Sequence, residues 1–247
     1  MAGYDFAAAR LFVEEPLATG ANIHIKDDRA NYLLNVLRLR DGAKILIFNG
    51  VDGEWRALLA QTTRRSTVLV AEEQTRPQTI GPDIDYCFAP LKHARLDYMV
   101  QKAVEMGVRR LRPVLTRRTQ ATRVNRDRMR ANAIEAAEQC GILFVPGIEP
   151  EVSLERLLGE WPPARTLIVC DEDAPPADPL LALRAASRPE SFGLLIGPEG
   201  GFDPREREAL LAHPAVVRIS LGPRILRADT AAVAALALLQ AVHGDWR

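Results

Sequence analysis

Two apolar runs near the C-terminus, each broken by a Gly/Pro turn, restrict this chain more than any other feature. Leu194–Phe202 reads LLIGPEGGF, and Leu221–Leu236 reads LGPRILRADTAAVAAL. Leu194-Leu195-Ile196 is short and continuously apolar, the pattern of a strand covered on both faces. Gly197-Pro198-Glu199-Gly200-Gly201 cannot continue it, and its glycines let backbone amides approach a ligand where a Cβ would collide. Asp203-Pro204-Arg205-Glu206 follows, with Asp at the N-cap, Pro at N1 and Glu at N3 of a new helix. The second run repeats the plan: Val216–Leu221 as strand, Gly222-Pro223-Arg224 as turn, Asp229 or Thr230 as cap, then an Ala-rich helix over Ala231–Val242. Two such units, with Arg224 and Arg227 beside the second, predict two loops set side by side at the carboxyl edge of one sheet. Ligands in open α/β folds collect at that edge.

Upstream the pattern is different. Ile23-His24-Ile25, Lys44–Phe48, Trp55–Ala60 and Thr67–Val70 read as short strands, interrupted by one helix over Asp28–Arg38. Asn49-Gly50 and Asp52-Gly53 are turn pairs between strand-like runs, so this part predicts a small β-barrel. Glu72–Pro82, with two prolines, a glycine and polar neighbours, reads as a linker. From Ile84 onward strand and helix patterns alternate, which predicts a mostly parallel α/β sheet. Its strands are Ile84–Ala89, Arg112–Leu115, Thr166–Cys170, Leu194–Ile196 and Val216–Leu221. The expected division is a barrel over residues 1–73, a linker over 74–82 and an α/β domain over 83–247.

The net charge of zero conceals an uneven distribution. Residues 92–130 carry twelve basic and three acidic side chains, whereas residues 131–247 carry ten basic and seventeen acidic. The basic stretch, through Arg109-Arg110, Arg112 and Arg117-Arg118 to Arg130, is either a phosphate-facing surface or a solvated helix-and-loop face. Cys87, Cys140 and Cys170 are scattered and in no CxxC or His-paired spacing, the mark of reduced core thiols rather than zinc ligands or disulfides. No metal is expected. Met1–Arg10 carries Asp5 and lacks the apolar core of a signal peptide. The longest apolar run, Ala231–Leu239, is too short to span a bilayer, so a cytoplasmic location with no membrane contact is expected.

GPEGGF followed by LGxRILRxxT resembles the ribosomal-RNA uridine-N3 methyltransferases of the SPOUT superfamily. The resemblance extends over nearly the whole chain. It takes in Arg10-Leu11-Phe12, Val36-Leu37-Arg38-Leu39 with Gly42, Phe48-Asn49-Gly50 and Gln101–Val108. It continues through Pro113, Arg118, Glu138-Gln139-Cys140-Gly141 and Val145-Pro146. It implies a SPOUT domain tied in a deep trefoil knot with S-adenosylmethionine in the knot loops, preceded by a PUA-like RNA-binding β-barrel. Knots are so rare that only the resemblance argues for one. The implied substrate is a decoding-region uridine of 16S ribosomal RNA in the small subunit, and the implied assembly a homodimer. Three positions depart from the family pattern: Ile142 in place of Arg after EQCG, Ala228 in place of Thr, and Tyr32 in place of His.

Methylating N3 of a uridine requires removal of an imide proton and alignment of the nitrogen lone pair with the methyl donor. Negative charge spreading onto the uracil carbonyls calls for a cation or loop amides, the task assigned to Arg224 and Arg227. Asp229, where the family has Glu, is a candidate base or simply a helix cap. Cofactor contacts are expected from Gly197, Glu199, Gly200, Gly201, Leu221, Gly222, Ile225, Leu226 and Thr230, with Leu221, Ile225 and Leu226 forming an apolar slot for adenine. RNA contacts are expected from Arg10, Arg38, Lys92, Arg95, Arg117 and Arg118. The small-residue face of Ala231–Val242 suits either a second copy of the chain or its own core. Two other functions fit the same residues: a SPOUT methyltransferase acting on tRNA or a ribose 2′-hydroxyl, and a catalytically silent ribosome-assembly factor. A dinucleotide-dependent oxidoreductase does not fit, because GxGxxG is missing.

Overall fold

The computed structural model describes residues 8–63, 65–120, 123–174, 178–186 and 191–246, apart from the side chain of His93. Asp5 and the rest of residues 1–7 lie outside the described residues. The chain forms two compact units, residues 1–80 with 137–144 and residues 81–136 with 145–247.

The first unit contains β1 (Arg10–Phe12), β2 (Asn22–Lys26), α1 (Asp27–Asn31), a π-helical turn (Tyr32–Val36), β3 (Lys44–Phe48), β4 (Glu54–Ala60) and β5 (Ser66–Arg76). The strands make one sheet in the order β1-β3-β4-β5-β2, parallel between β1 and β3 and antiparallel elsewhere. Strict alternation along β2 buries Ile23 and Ile25 and leaves Asn22, His24 and Lys26 in solvent. Ile23 and Ile25 join Leu33, Ile45, Ile47, Leu59 and Leu69 in one apolar cluster. The single helix predicted over Asp28–Arg38 is two pieces. Leu37 N–H donates to the Tyr32 carbonyl at 2.9 Å, a wide turn that buries Leu33 and Leu34 side by side. Arg38 then ends it at φ +56°. β5 is longer than the expected Thr67–Val70, because Trp55 pairs with Gln74 and Glu54 with Arg76. Residues 74–76, expected as linker, are therefore strand.

Glu54 is the charged centre of this unit. Its carboxylate accepts from Arg10 Nε at 3.0 Å, Arg76 Nε at 2.9 Å, Arg76 Nη2 at 2.6 Å and Thr75 Oγ1 at 2.8 Å. Burial pushes its pKa up, but the bonds from Arg76, Thr75 and Arg10 outweigh burial and hold it below the usual carboxylate range.

The second unit contains β6 (Asp83–Phe88), α2 (His93–Glu105), β7 (Arg110–Leu115), α3 (Arg126–Cys140, whose last turn belongs to the first unit), β8 (Gly147–Ile148), β9 (Val152–Ser153) and α4 (Leu154–Gly159). β10 (Thr166–Cys170), α5 (Pro179–Ala185), β11 (Ser191–Ile196), α6 (Pro204–Ala212), β12 (Val216–Ile219) and α7 (Ala228–His243) complete it. The sheet order is β12-β10-β11-β6-β7-β8, with β9 also on β7, and every pairing is parallel. An all-parallel sheet is covered on both faces, which explains the nearly continuous burial along β6 and β11. Cys87, Leu167, Val169 and Leu195 pack with Leu154, Leu157, Trp161 and Leu210 of the α4 and α6 side. α7 packs on α2, α5 and β11. Its Ala232, Ala235, Leu236 and Leu239 are buried there, so much of the small-residue face is core.

Three short strands escaped the sequence reading: β1, β8 and β9. β1 has three residues and the other two have two each, too few to show a period.

Candidate active site

β10, β11 and β12 are neighbours and end together, so the segments that follow them share one edge of the sheet. β10 lies between the other two. The two Gly/Pro loops are therefore not directly side by side, and a third segment, Cys170–Asp173, closes the gap between them. Together they frame a cavity of about 350 Å³.

The first loop is fixed by local chemistry. Gly201 N–H donates to the Pro198 carbonyl at 2.9 Å, and Gly201 takes φ +65°, which only glycine adopts without strain. A Cβ on Gly197 would stand 2.9 Å from the Phe202 ring, so a larger residue would push that ring aside. Asp203 caps α6 from a complete capping box with Glu206, and Pro204 opens the helix as predicted. Glu206 Oε1 also accepts from Arg117 N–H at 2.7 Å. Arg118 crosses the loop, its Nη1 donating to the Gly200 carbonyl at 2.7 Å. This residue, expected as an RNA contact, pins the glycine loop.

The second loop runs from Ser220 to Arg227, turning at Gly222 with φ +97°. Leu221 and Leu226 are half-buried on the cavity wall, but Ile225 is 89% exposed. All three residues expected to form the apolar slot therefore line the cavity, Ile225 as its most exposed member. Arg224 and Arg227 line the cavity with exposed side chains. Arg227 is also the N-cap of α7, so the helix starts before both residues expected to cap it. Asp229 sits in the first turn, where its Oδ1 accepts from Thr230 N–H at 2.9 Å. Neither Asp229, Thr230 nor Gly200 lines the cavity, whereas Gly197, Glu199, Gly201 and Gly222 do.

The third wall is acidic. Asp171 accepts from Arg218 Nε at 2.8 Å and Arg207 Nη2 at 3.3 Å, while Glu172 and Asp173 stand exposed at the lip. Cys170 lies at its base, and burial pushes its thiol up to about 12. The available signal was the run Asp171-Glu172-Asp173 directly after a predicted strand. That signal is weak, because acidic turns after strands are common.

Arg95, also expected on RNA, is a buckle between elements of the site. Its Nε donates to Asp229 Oδ2 at 3.1 Å and its Nη1 to Glu199 Oε1 at 2.7 Å, tying the start of α2 to the glycine loop and to α7. The Arg95 hydrogen bond holds Asp229 below the usual carboxylate range. Arg10 is corrected more sharply: its side chain is 3% exposed and paired with Glu54, out of reach of a polynucleotide. Arg38, Lys92 and Arg117 are exposed, as a phosphate contact requires. Among the described residues no cluster of three or more His, Cys, Asp or Glu side chains is arranged to hold a metal, and no helix is long and apolar enough to cross a membrane.

Residues 79–240 match the family model of the RNA methyltransferase domain, and residues 25–71 match that of the RNA methyltransferase PUA domain. The chain belongs to the RNA methyltransferase family. Among its relatives, ribosomal RNA small subunit methyltransferase E of Rickettsia conorii is 28% identical over 229 residues, covering 92% of this chain and 93% of that protein. The protein of the same name from Bacillus subtilis is 27% identical over 244 residues, covering 93% of this chain and 95% of the relative. The crystal structure of a ribosomal RNA small subunit methyltransferase E from Neisseria gonorrhoeae, bound to S-adenosyl methionine, superposes with a TM-score of 0.87 at 27% identity. It covers 97% of this chain and all (100%) of that one. Family membership places the Gly-rich edge of the parallel sheet in a methyltransferase domain, and the β-rich first unit in a PUA domain.

Proposed function

We propose that this chain is an S-adenosylmethionine-dependent methyltransferase acting on N3 of a uridine in 16S ribosomal RNA of the small subunit. The observation that carries the reading is the cavity at the ends of β10, β11 and β12, with two exposed arginines on a loop that turns into α7. The residues present suit the cofactor. Gly197 and Gly201 stand where a Cβ would meet Phe202 or approach Glu172 Oε1 to 3.1 Å, so main-chain groups meet a ligand there without side chains of their own. Leu221 and Leu226 offer adenine an apolar wall, and the acidic lip at Glu172 and Asp173 suits a cationic sulfonium. S-adenosylmethionine supplies an electrophilic methyl group, which needs no metal.

The chain's own residues do the rest. Arg224 and Arg227 face the base and stabilise charge that builds on its carbonyl oxygens as the imide proton leaves. Asp229, kept ionised by Arg95, is a poor proton acceptor; its part is to hold Arg95 and so the glycine loop. The proton leaves to solvent in this reading. Arg38, Lys92 and Arg117 meet phosphates. The protein works as a homodimer through Val233, Ala234, Ala237 and Leu238 of α7, a half-exposed strip that its own core leaves partly uncovered.

The test is methyl transfer from labelled S-adenosylmethionine to small subunits from a strain lacking the activity, followed by nucleoside analysis. N3-methyluridine, lost in Arg224→Ala with cofactor binding retained, is the expected result. Methyl on tRNA or on a ribose oxygen replaces this reading with another SPOUT activity. Absence of cofactor binding leaves a silent assembly factor.

A further inference from the structure

The twelve basic side chains of residues 92–130 do not act as one surface, because the structure commits most of them elsewhere. Arg110 and Arg112 are drawn to Asp85, which is buried, with N–O distances of 2.5 and 2.6 Å, and Arg109 lies 3.7 Å from Asp83. Lys102 pairs with Glu105 at 2.7 Å and Arg128 with Asp97 at 2.6 Å. Arg95 and Arg118 are held by the cofactor-side loop. Four side chains are left exposed and in no side-chain hydrogen bond or ion pair among the described residues: Lys92, Arg117, Arg123 and Arg126.

Two of those four line a second cavity. It is an open groove of about 790 Å³ between residues 123–130 and residues 145–148, all within the second unit. Arg123, Arg126 and Arg130 line it against one carboxylate, Asp127. Its floor is held in place. Val124 N–H donates to Glu151 Oε1 at 2.9 Å, and Asn125 Oδ1 accepts from Arg128 N–H at 3.0 Å, fixing the first turn of α3. Glu151 is close enough that the Arg123 and Arg126 charges help lower its pKa, behind the Val124 bond. Arg123 and Arg126 are both exposed there and in no ion pair among the described residues. Exposed cations at a concave surface attract a polyanion.

We propose that this groove is a sequence-independent docking site for the RNA sugar–phosphate backbone, distinct from the cofactor cavity. The inference rests on the methyltransferase reading for its choice of RNA. One continuous segment links the two places: Arg118 lines the cofactor cavity and Arg123 the groove. The intervening backbone spans at most ~18 Å when extended, so the groove grips nucleotides a few steps from the one being methylated. Phosphate contacts of this kind set register and orientation, while the loops at the cavity select the base.

The experiment compares wild type with Arg123→Gln/Arg126→Gln and with Arg123→Glu/Arg126→Glu. The dissociation constant for purified 16S ribosomal RNA and for oligouridylate is followed from 50 to 200 mM KCl. S-adenosylmethionine affinity is measured by calorimetry on each protein, and methyl transfer by wild type is run in parallel. Loss of two phosphate contacts lowers the slope of log affinity against log salt by ~1.4, so wild type loses ~7-fold more affinity over that range than the Gln pair. The expected result is that drop on both RNAs, larger for the Glu pair, with cofactor affinity unchanged. An unchanged slope in both pairs overturns the groove while leaving the methyltransferase reading intact. A lowered slope with no methyl transfer by wild type overturns that reading and keeps the groove as an RNA site. A slope that falls for one RNA alone overturns the claim of sequence independence.

Discussion

Replacing Arg95 by Ala removes one guanidinium and two ion pairs at once, and their worth follows from their surroundings. The Asp229 carboxylate is 17% exposed and bonded at 3.1 Å. A charge-assisted hydrogen bond in such a place contributes about 1.5–3 kcal/mol, and partial exposure of Arg95 puts this one near the lower end. Glu199 is about half exposed, where an ion pair contributes no more than about 1 kcal/mol. Arg95→Ala is therefore expected to destabilise the protein by about 2 kcal/mol at pH 7. In a double-mutant cycle with Asp229→Asn, urea unfolding of the four proteins should yield a coupling of about 1.5 kcal/mol. The Glu199 share also orders the glycine loop. Its loss should weaken S-adenosylmethionine binding by up to about fivefold, the equivalent of about 1 kcal/mol. The pH dependence has a fixed sign. Asp229 has a folded pKa below its ordinary 3.8, so its contribution is fully present above that value and disappears as pH falls through the lowered one. The difference between wild type and Arg95→Ala should shrink in that acid window alone. Coupling below about 0.5 kcal/mol, with cofactor affinity unchanged, would show that Arg95 is not the buckle described.

Two further outcomes concern the framework. Glu54→Gln leaves Arg10 and Arg76 facing an amide in a buried site, and is expected to destabilise the protein by about 3 kcal/mol, read from the urea midpoint. Because the folded Glu54 pKa lies below its ordinary 4.5, wild type should lose this advantage as pH drops below that value, and not at alkaline pH. Gly193→Ala, in the middle of β11, drives a methyl group to within 2.3 Å of the Trp161 ring and should cost about 1–3 kcal/mol, lowering Tm. Trp161→Phe in the same chain should recover part of that loss, since it removes the two ring atoms nearest the new methyl.

The sequence by itself determined whatever depends on a residue and its near neighbours. The capping box at Asp203 and Glu206, the alternation along Ile23–Ile25 and the breaks at Gly197 and Gly222 all appear in the structure because each follows from local sterics and hydrogen bonding. Matching strings made the family legible as well, since GPEGGF and LGPRILR carry both the turn and the residues beside it. What only the tertiary structure decided is which distant residues become neighbours. β10 lies between β11 and β12, so an acidic segment nobody would select from sequence becomes a wall of the cavity. Arg10, Arg95 and Arg118 read as surface cations in a basic chain, yet one is buried against Glu54 and two are tied across the glycine loop. Their partners lie 44, 104 and 82 residues away. A charge seeks the nearest opposite charge or acceptor in space, and that distance is set by packing of the whole chain rather than by position along it.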